Sequence, residues 1–217
     1  MTSHPITRIG CCLAIIAALG GLSACNKDTP SSTVDVHGDL PPLRLTMTRA
    51  SDGAKVTAND YRGQAVALYF GYTNCPDLCP MTLGNLAQAL TRLGPLASRV
   101  TVLFVTVDPA RDDIAALRSY TSNFAPQIDG LRGTPDELVA LTRRYRVAFT
   151  AKPKTTEGDY DVSHSSAVFV FDRMGQARMV ITSTSDIGAV AGGLRKLIAP
   201  SSTASTMGLR GIGHAPG

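Results

Sequence analysis

The chain has 217 residues, of which 44% are hydrophobic and 18% are charged, and this composition indicates a globular protein and excludes a disordered or fibrous one. The length allows one domain with a sizeable core. The formal net charge of +4 is spread along the sequence, without the basic cluster that phosphate neutralisation requires, so nucleic acid is excluded as an expected partner.

The N-terminal 25 residues are typical of a targeting segment. Arg8 supplies positive charge, and residues 9–22 (IGCCLAIIAALGGL) form an apolar core that is too short and too rich in glycine for a membrane span. Residues 22–25 (LSAC) resemble the bacterial lipobox, in which a diacylated cysteine becomes the mature N-terminus. We therefore predict a lipoprotein signal peptide over residues 1–24, a lipidated Cys25 and anchoring on the periplasmic side of a bacterial membrane. The alternatives are an ordinary cleaved signal and an uncleaved anchor.

Composition sets three further boundaries. Residues 26–42 are polar and contain proline, which predicts a flexible linker. Residues 43–200 carry the periodic patterns of a folded domain, and residues 201–217, which are rich in Ser, Thr and Gly, are predicted to be a disordered tail. His37 in the linker and His214 in the tail are interpreted as solvated histidines rather than ligands.

Apolar runs and helical periodicities alternate through the domain. Residues 43–48 (LRLTMT) alternate as a half-buried strand, and residues 65–72 (AVALYFGY) form the continuous apolar run of a strand covered on both faces. Leucines at spacings of three and four predict a helix over residues 82–93. The remaining predicted elements are a buried strand at 100–107, helices at 114–124 and 134–145 (with Thr134 as N-cap), strands at 165–171 and 177–182 joined by a hairpin turn, and a closing helix at 187–199. This order predicts an α/β fold with a central mixed β-sheet flanked by helices.

Two cysteines remain in the domain once those of the targeting segment are set aside, and both lie in the stretch NCPDLCP. Pro76 suits the first position of a helix, which places Cys75 near the N-cap and Cys79 one turn on. The i, i+4 spacing puts both sulfurs on one helix face with Cβ atoms about 5–6 Å apart. This separation suits a shared metal and, after a small adjustment that Pro80 assists, a disulfide.

The chemistry of the cysteine pair has three interpretations: redox exchange, metal binding and inert packing. Free amides at a helix N-terminus favour the thiolate, which is the reactive form. Two thiolates suit Cu(I) or zinc, and a nitrogen ligand would complete a three-coordinate copper site. His164 is the histidine that lies inside the domain, just before an apolar strand. The residues alone leave all three interpretations open.

Three stretches, in this order and spacing, resemble the Sco/SenC family of copper-binding thioredoxin-like proteins. They are YFGYTNCPDLCP at 69–80, VTVDPARD at 105–112 and VSHSSAVFVFD at 162–172. The resemblance covers about residues 41–200. It differs from the family pattern at Asp113-Ile114, where Thr-Pro is frequent, and at Asn74, where a histidine or aromatic residue is common.

The resemblance implies a thioredoxin fold that binds one copper ion, as Cu(I) or Cu(II), through Cys75, Cys79 and His164. It implies a metallochaperone that delivers copper to the CuA centre of cytochrome c oxidase or reduces the thiols of that centre, with the Cys75–Cys79 disulfide as the oxidised, metal-free state. Asp108 corresponds to a family aspartate that assists metal handling or partner contact, and its alternative role is the N-cap of the following helix.

Two enzymatic alternatives stand beside the chaperone, which is a binding protein without turnover. The first is a thiol-disulfide oxidoreductase of thioredoxin type without obligatory metal, acting on another periplasmic copper or thiol protein. The second, a peroxiredoxin-like peroxidase, is disfavoured because Thr73 stands two rather than three residues before Cys75.

Overall fold

The computed structural model describes residues 32–153, 160–164 and 166–199. The predicted signal peptide with Cys25 and the predicted tail with His214 lie outside these ranges. Within them, no helix is long and apolar enough to cross a membrane.

The described ranges contain ten strands and four α-helices. The strands are β1 (Thr33–Asp35), β2 (Thr46–Arg49), β3 (Lys55–Thr57), β4 (Ala65–Gly71), β5 (Val100–Thr106), β6 (Ile128–Arg132), β7 (Phe149–Pro153), β8 (Tyr160–His164), β9 (Val168–Phe171) and β10 (Ala177–Ile181). The helices are α1 (Leu78–Leu93), α2 (Ile114–Ser122), α3 (Pro135–Arg144) and α4 (Ile187–Ile198).

Eight strands form one mixed sheet in the order β1-β10-β9-β4-β5-β6-β2-β3. The central strand β4 pairs in parallel with β5 and antiparallel with β9, and β5 pairs in parallel with β6. Helices α1 and α2 make the crossovers β4-α1-β5 and β5-α2-β6 that parallel pairing requires. The predicted mixed sheet flanked by helices is therefore confirmed. Strands β7 and β8 form a separate two-stranded antiparallel sheet.

The apolar run of β4 is buried along its whole length, as predicted. Its side chains alternate between two hydrophobic clusters because successive residues of a strand point to opposite faces. Ala65, Ala67 and Tyr69 belong to the cluster that α1, α2 and α4 cover, which we call the first cluster. Val66 and the residues at every second position after it in β4 belong to the cluster that α3 covers. We call this the second cluster. The sheet is thus the middle layer of three.

Several elements depart from the sequence prediction. Strand β1 lies within the predicted linker and pairs with β10, so this part of the segment is ordered in the sheet. Strands β3, β6, β7 and β8 were not predicted. Helices α2, α3 and α4 lie where they were predicted. Thr134 caps α3 with a full capping box, in which its side chain accepts from Glu137 N–H and the Glu137 side chain accepts from Thr134 N–H.

Candidate metal centre

The loop between β4 and α1 carries both cysteines, and the helix begins later than predicted. Helix α1 starts at Leu78 with Asp77 as N-cap, so Cys75 precedes the helix and Cys79 is its second residue. The backbone N–H of Cys75 bonds to the Tyr72 carbonyl at 3.3 Å, and this turn delays the helix. Pro80 lies in the first turn, where its missing N–H would have no intrahelical partner. It therefore fits the helix rather than loosening it.

The two sulfurs lie at the same turn and differ in exposure. The backbone N–H of Cys79 donates to Cys75 Sγ at 3.3 Å. Cys79 is fully buried, whereas Cys75 is half-buried and packs against both hydrophobic clusters. Both are free thiols in this structure. The local fold thus presents one accessible sulfur and one enclosed sulfur.

Burial dominates the electrostatics of Cys79. Desolvation raises the pKa of the Cys79 thiol to about 12, and the hydrogen bond from Tyr69 Oη, 3.6 Å from Cys79 Sγ, opposes this without offsetting it. The expectation that the helix N-terminus favours the thiolate is therefore wrong for Cys79 in the metal-free protein. A metal that binds this sulfur must displace its proton.

Aromatic rings enclose Cys79. The Tyr69 and Phe104 rings lie 5.9 Å apart, and the Phe104 and Tyr120 rings lie 5.4 Å apart. The buried hydroxyl of Tyr120 has no hydrogen-bond partner among the described residues, and burial, followed by the nearby Cys79 sulfur, raises its pKa. A Cβ at Gly71 would collide with the Phe104 ring and would lie 2.8 Å from Cys79 Sγ. Only glycine at position 71 allows this close approach of the strand to the sulfur.

A buried carboxylate holds the loop in front of Cys75. Asp112 is fully buried and accepts hydrogen bonds from Thr73 N–H at 3.0 Å, from Thr73 Oγ1 at 2.6 Å and from Thr106 Oγ1 at 2.6 Å. Sequence reasoning missed Asp112. The signal that could have found it is its place after the buried strand β5, where side chains at the carboxyl end of the sheet converge on the end of β4.

Asp108, the predicted auxiliary residue, lies beside this network. It is 3% exposed, it forms an ion pair with Arg111, and its backbone N–H bonds to Thr106 Oγ1 at 2.9 Å. The Arg111 guanidinium lies 5.9 Å from the centre of the Tyr72 ring, in the cysteine loop. The N-cap of α2 is Asp113, which accepts from Ala116 N–H at 2.7 Å, so the N-cap alternative for Asp108 is wrong. Its part in metal handling stays a prediction.

His164 lies at the end of β8, on the separate two-stranded sheet, where it pairs with Phe149 of β7. The structure describes its backbone, and its imidazole lies outside the described side chains. Phe149 packs against the second cluster, as Cys75 does. Among the side chains that are described, no three His, Cys, Asp or Glu residues group around a common metal position. The ligand set of Cys75, Cys79 and His164 stays a prediction.

A mixed sheet with two cysteines at the junction of its central strand and a crossover helix defines a thioredoxin-like protein. The family model described as SCO1/SenC matches residues 46–199. The chain therefore belongs to the SCO1/SenC family.

Curated relatives match the same domain. The mitochondrial protein SCO2 homolog of Mus musculus is 42% identical over 118 residues, which cover 54% of this chain and 46% of the relative. The mitochondrial protein SCO1 of Saccharomyces cerevisiae is 40% identical over 126 residues, which cover 57% of this chain and 43% of the relative. The chain thus spans less than half the length of these relatives.

Two solved structures of copper-bound proteins are similar to this chain. The structure of Bradyrhizobium japonicum ScoI with copper bound has a TM-score of 0.67 and 30% identity, and the match covers 72% of this chain and 98% of that chain. Yeast Sco1 with copper bound has a TM-score of 0.65 and 34% identity, with coverage of 72% and 88%.

These comparisons correct the predicted location. A lipid-anchored position on the periplasmic side of a bacterial membrane is contradicted, because the curated relatives from mouse, yeast, cow and human are mitochondrial proteins. That prediction depended on the four residues 22–25 (LSAC). In an apolar leader rich in small residues, so short a pattern carries little information about the compartment.

Proposed function

We propose that the protein is a copper metallochaperone in cytochrome c oxidase assembly that carries one copper ion on the Cys75 and Cys79 thiolates and the His164 imidazole. The observation that carries this proposal is the local arrangement of the two cysteines, in which Cys79 N–H donates to Cys75 Sγ at 3.3 Å. It is supported by family members from Bradyrhizobium japonicum and yeast that were solved with copper bound.

The donor set fits copper. Thiolates are soft ligands that suit Cu(I), and an imidazole nitrogen also tolerates Cu(II). The apolar and aromatic surroundings of Cys79 exclude water from one side of the site. The Tyr69 hydroxyl donates to Cys79 Sγ, which stabilises the negative charge left when copper displaces the thiol proton.

The difference in exposure assigns different tasks to the two sulfurs. Cys79 is enclosed and retains the ion, while Cys75 faces solvent in part and is the sulfur that an incoming ligand reaches first. Handover begins when a donor of the acceptor protein replaces Cys75. We infer from the family resemblance that the acceptor is the copper-bearing subunit of cytochrome c oxidase.

Metal analysis with an absorption spectrum of the Cu(II) form tests the ligand set. The wild-type protein should hold one copper per chain and show a thiolate-to-copper charge-transfer band, and Cys75→Ala should bind copper less tightly and show a weaker, shifted band. His164→Ala should change the band and weaken binding, whereas His37→Ala, an exposed histidine remote in sequence, should match the wild type. A Cys75→Ala protein that binds copper as tightly as the wild type would contradict the proposal.

The same exposure difference favours thiol-disulfide exchange as a second candidate activity. The Cys75 thiolate attacks a partner disulfide, forms a mixed disulfide and releases one partner thiolate. Cys79, as thiolate, then attacks Cys75 Sγ, which closes the Cys75–Cys79 disulfide and releases the second partner thiol, so two electrons pass to the partner. An insulin reduction assay separates the two activities, because His164→Ala should retain thiol exchange while losing copper affinity.

A further inference from the structure

We propose that Asp112 is a positioning residue whose buried carboxylate fixes the loop bearing Cys75 and so sets the geometry in which both sulfurs meet copper. Asp112 acts on the loop through Thr73, whose backbone N–H and hydroxyl both donate to its carboxylate. The part of this proposal that concerns copper rests on the proposed function, and the part that concerns the loop does not.

The attachment of the loop has two points. Thr73 donates its backbone N–H to Asp112 Oδ2 at 3.0 Å and its hydroxyl to Oδ1 at 2.6 Å. Two bonds from one residue to the two oxygens of one carboxylate fix the orientation of that residue as well as its distance. Because Thr73 stands two residues before Cys75, the orientation of Thr73 limits the path of the chain to Cys75.

The carboxylate is itself anchored to the sheet. Asp112 Oδ2 also accepts from Thr106 Oγ1 at 2.6 Å, at the end of β5. The backbone of Asp112 donates to the Asp108 carbonyl at 2.9 Å and accepts from Arg132 Nε at 3.1 Å. Asp112 therefore connects the cysteine loop to the ends of two strands, β5 and β6.

The choice of a carboxylate has a physical reason. A buried charge is costly unless it is hydrogen-bonded, and here three donors satisfy it. A neutral side chain of the same size offers one acceptor oxygen, so it cannot receive all three donors in the same way. Asparagine should therefore preserve part of the attachment and alanine none of it.

Asp112→Ala and Asp112→Asn, compared with Asp113→Ala, test the proposal. Asp113 is the neighbouring aspartate, but its carboxylate caps α2 and bonds to Ala116 N–H, so its loss destabilises a helix without touching the loop. Two measurements are made: hydrogen exchange of the Thr73 amide in the metal-free protein, and the rate at which a Cu(I) chelator removes copper from the loaded protein.

We expect Asp112→Ala to speed both Thr73 amide exchange and copper release at least about tenfold, Asp112→Asn to fall between it and the wild type, and Asp113→Ala to match the wild type in both. Unchanged amide exchange in Asp112→Ala would overturn the attachment. Faster amide exchange with unchanged copper release would overturn the positioning role.

A second variant protects the test against misfolding. Thr73→Val removes one of the hydroxyl donors and leaves the buried carboxylate in place. It should also speed copper release, so it replaces Asp112→Ala in the test if that variant does not fold. If the wild-type protein binds no copper, the proposed function fails, while Thr73 amide exchange and the alkylation rate of Cys75 still decide whether Asp112 holds the loop.

Discussion

The two halves of the candidate site are built differently. The cysteine loop lies between β4 and α1, is packed against both hydrophobic clusters and is tied to the main sheet through Asp112. His164 lies on the β7–β8 ladder, which is a separate two-stranded sheet. A two-stranded ladder alone is only marginally stable in water. The thiolate half therefore shares the stability of the core, and we expect the histidine half to depend more on the ion.

Loss of the enclosed sulfur should have the largest effect. Cys79→Ala removes one of two proposed thiolates, and copper affinity should fall by more than about 100-fold, beyond the loss that altering groups around a ligand produces. Competition against a Cu(I) chelator measures the affinity, and circular dichroism checks the fold. An affinity for copper equal to that of the wild type would show that the Cys79 thiolate is not a copper ligand.

Loss of the imidazole should weaken binding less and leave the fold intact. His164→Ala should lower Cu(II) affinity by roughly 10-fold to 100-fold. It should change the free energy of unfolding of the metal-free protein by less than about 0.5 kcal/mol, because alanine retains the backbone bonds of the ladder. Titration with Cu(II) and urea unfolding measure the two quantities, with His37→Ala as control. A large loss of stability without metal would show that the core depends on the histidine half too.

A methyl group added beside the enclosed sulfur should destabilise the thiolate half. Gly71→Ala places a Cβ 2.8 Å from Cys79 Sγ, and such overpacking costs about 1–3 kcal/mol. Gly84→Ala is the matched control, because nothing lies within 4 Å of its added Cβ and alanine favours the helix by roughly 0.5–1 kcal/mol. Urea unfolding should give opposite signs for the two variants. Equal signs would mean that position 71 is not tightly packed.

The effect that is smallest at neutral pH, where it vanishes, concerns the Cys79 proton and appears only at alkaline pH. The folded metal-free protein keeps the Cys79 proton up to a pKa of about 12, whereas the unfolded chain releases it near the ordinary value of 9. The folded state binds more protons between these values, so stability should fall as pH rises from about 9 to 12, by up to about 1.4 kcal/mol per pH unit from this group. Urea unfolding of wild type and Cys79→Ala at several pH values isolates the contribution. Identical slopes of unfolding free energy against pH in the two proteins would mean that Cys79 is less desolvated than its burial indicates.

The sequence predicted the parts of the molecule that depend on local pattern. Leucines at helical spacing located α1, and the apolar run located β4. Strand β1 was taken for linker because it has three residues and its partner β10 lies far along the chain. The start of α1 was misplaced because Pro76 suits a first helical position, whereas the chain forms a turn there that is closed by the hydrogen bond from Cys75 N–H to the Tyr72 carbonyl.

The electrostatics of the site could not be predicted from local rules. A helix N-terminus favours a thiolate, but the burial of Cys79 among residues of β4, β5 and α1 reverses the outcome. Asp112 was missed for a related reason. In the sequence it is one charge among several in DPARD, and only the fold removes it from water and turns it toward Thr73.

Cys75 touches both hydrophobic clusters, one on each face of the sheet. Because Cys75 packs against both clusters, a change in the bonding of its sulfur affects the packing on both faces of the sheet. Reduced, oxidised and copper-loaded protein should therefore melt at different temperatures as whole domains, since a ligand that binds only the folded state stabilises that state by mass action. The melting temperature therefore reports whether the site holds copper, and this measurement does not need an absorption or paramagnetic signal from the metal.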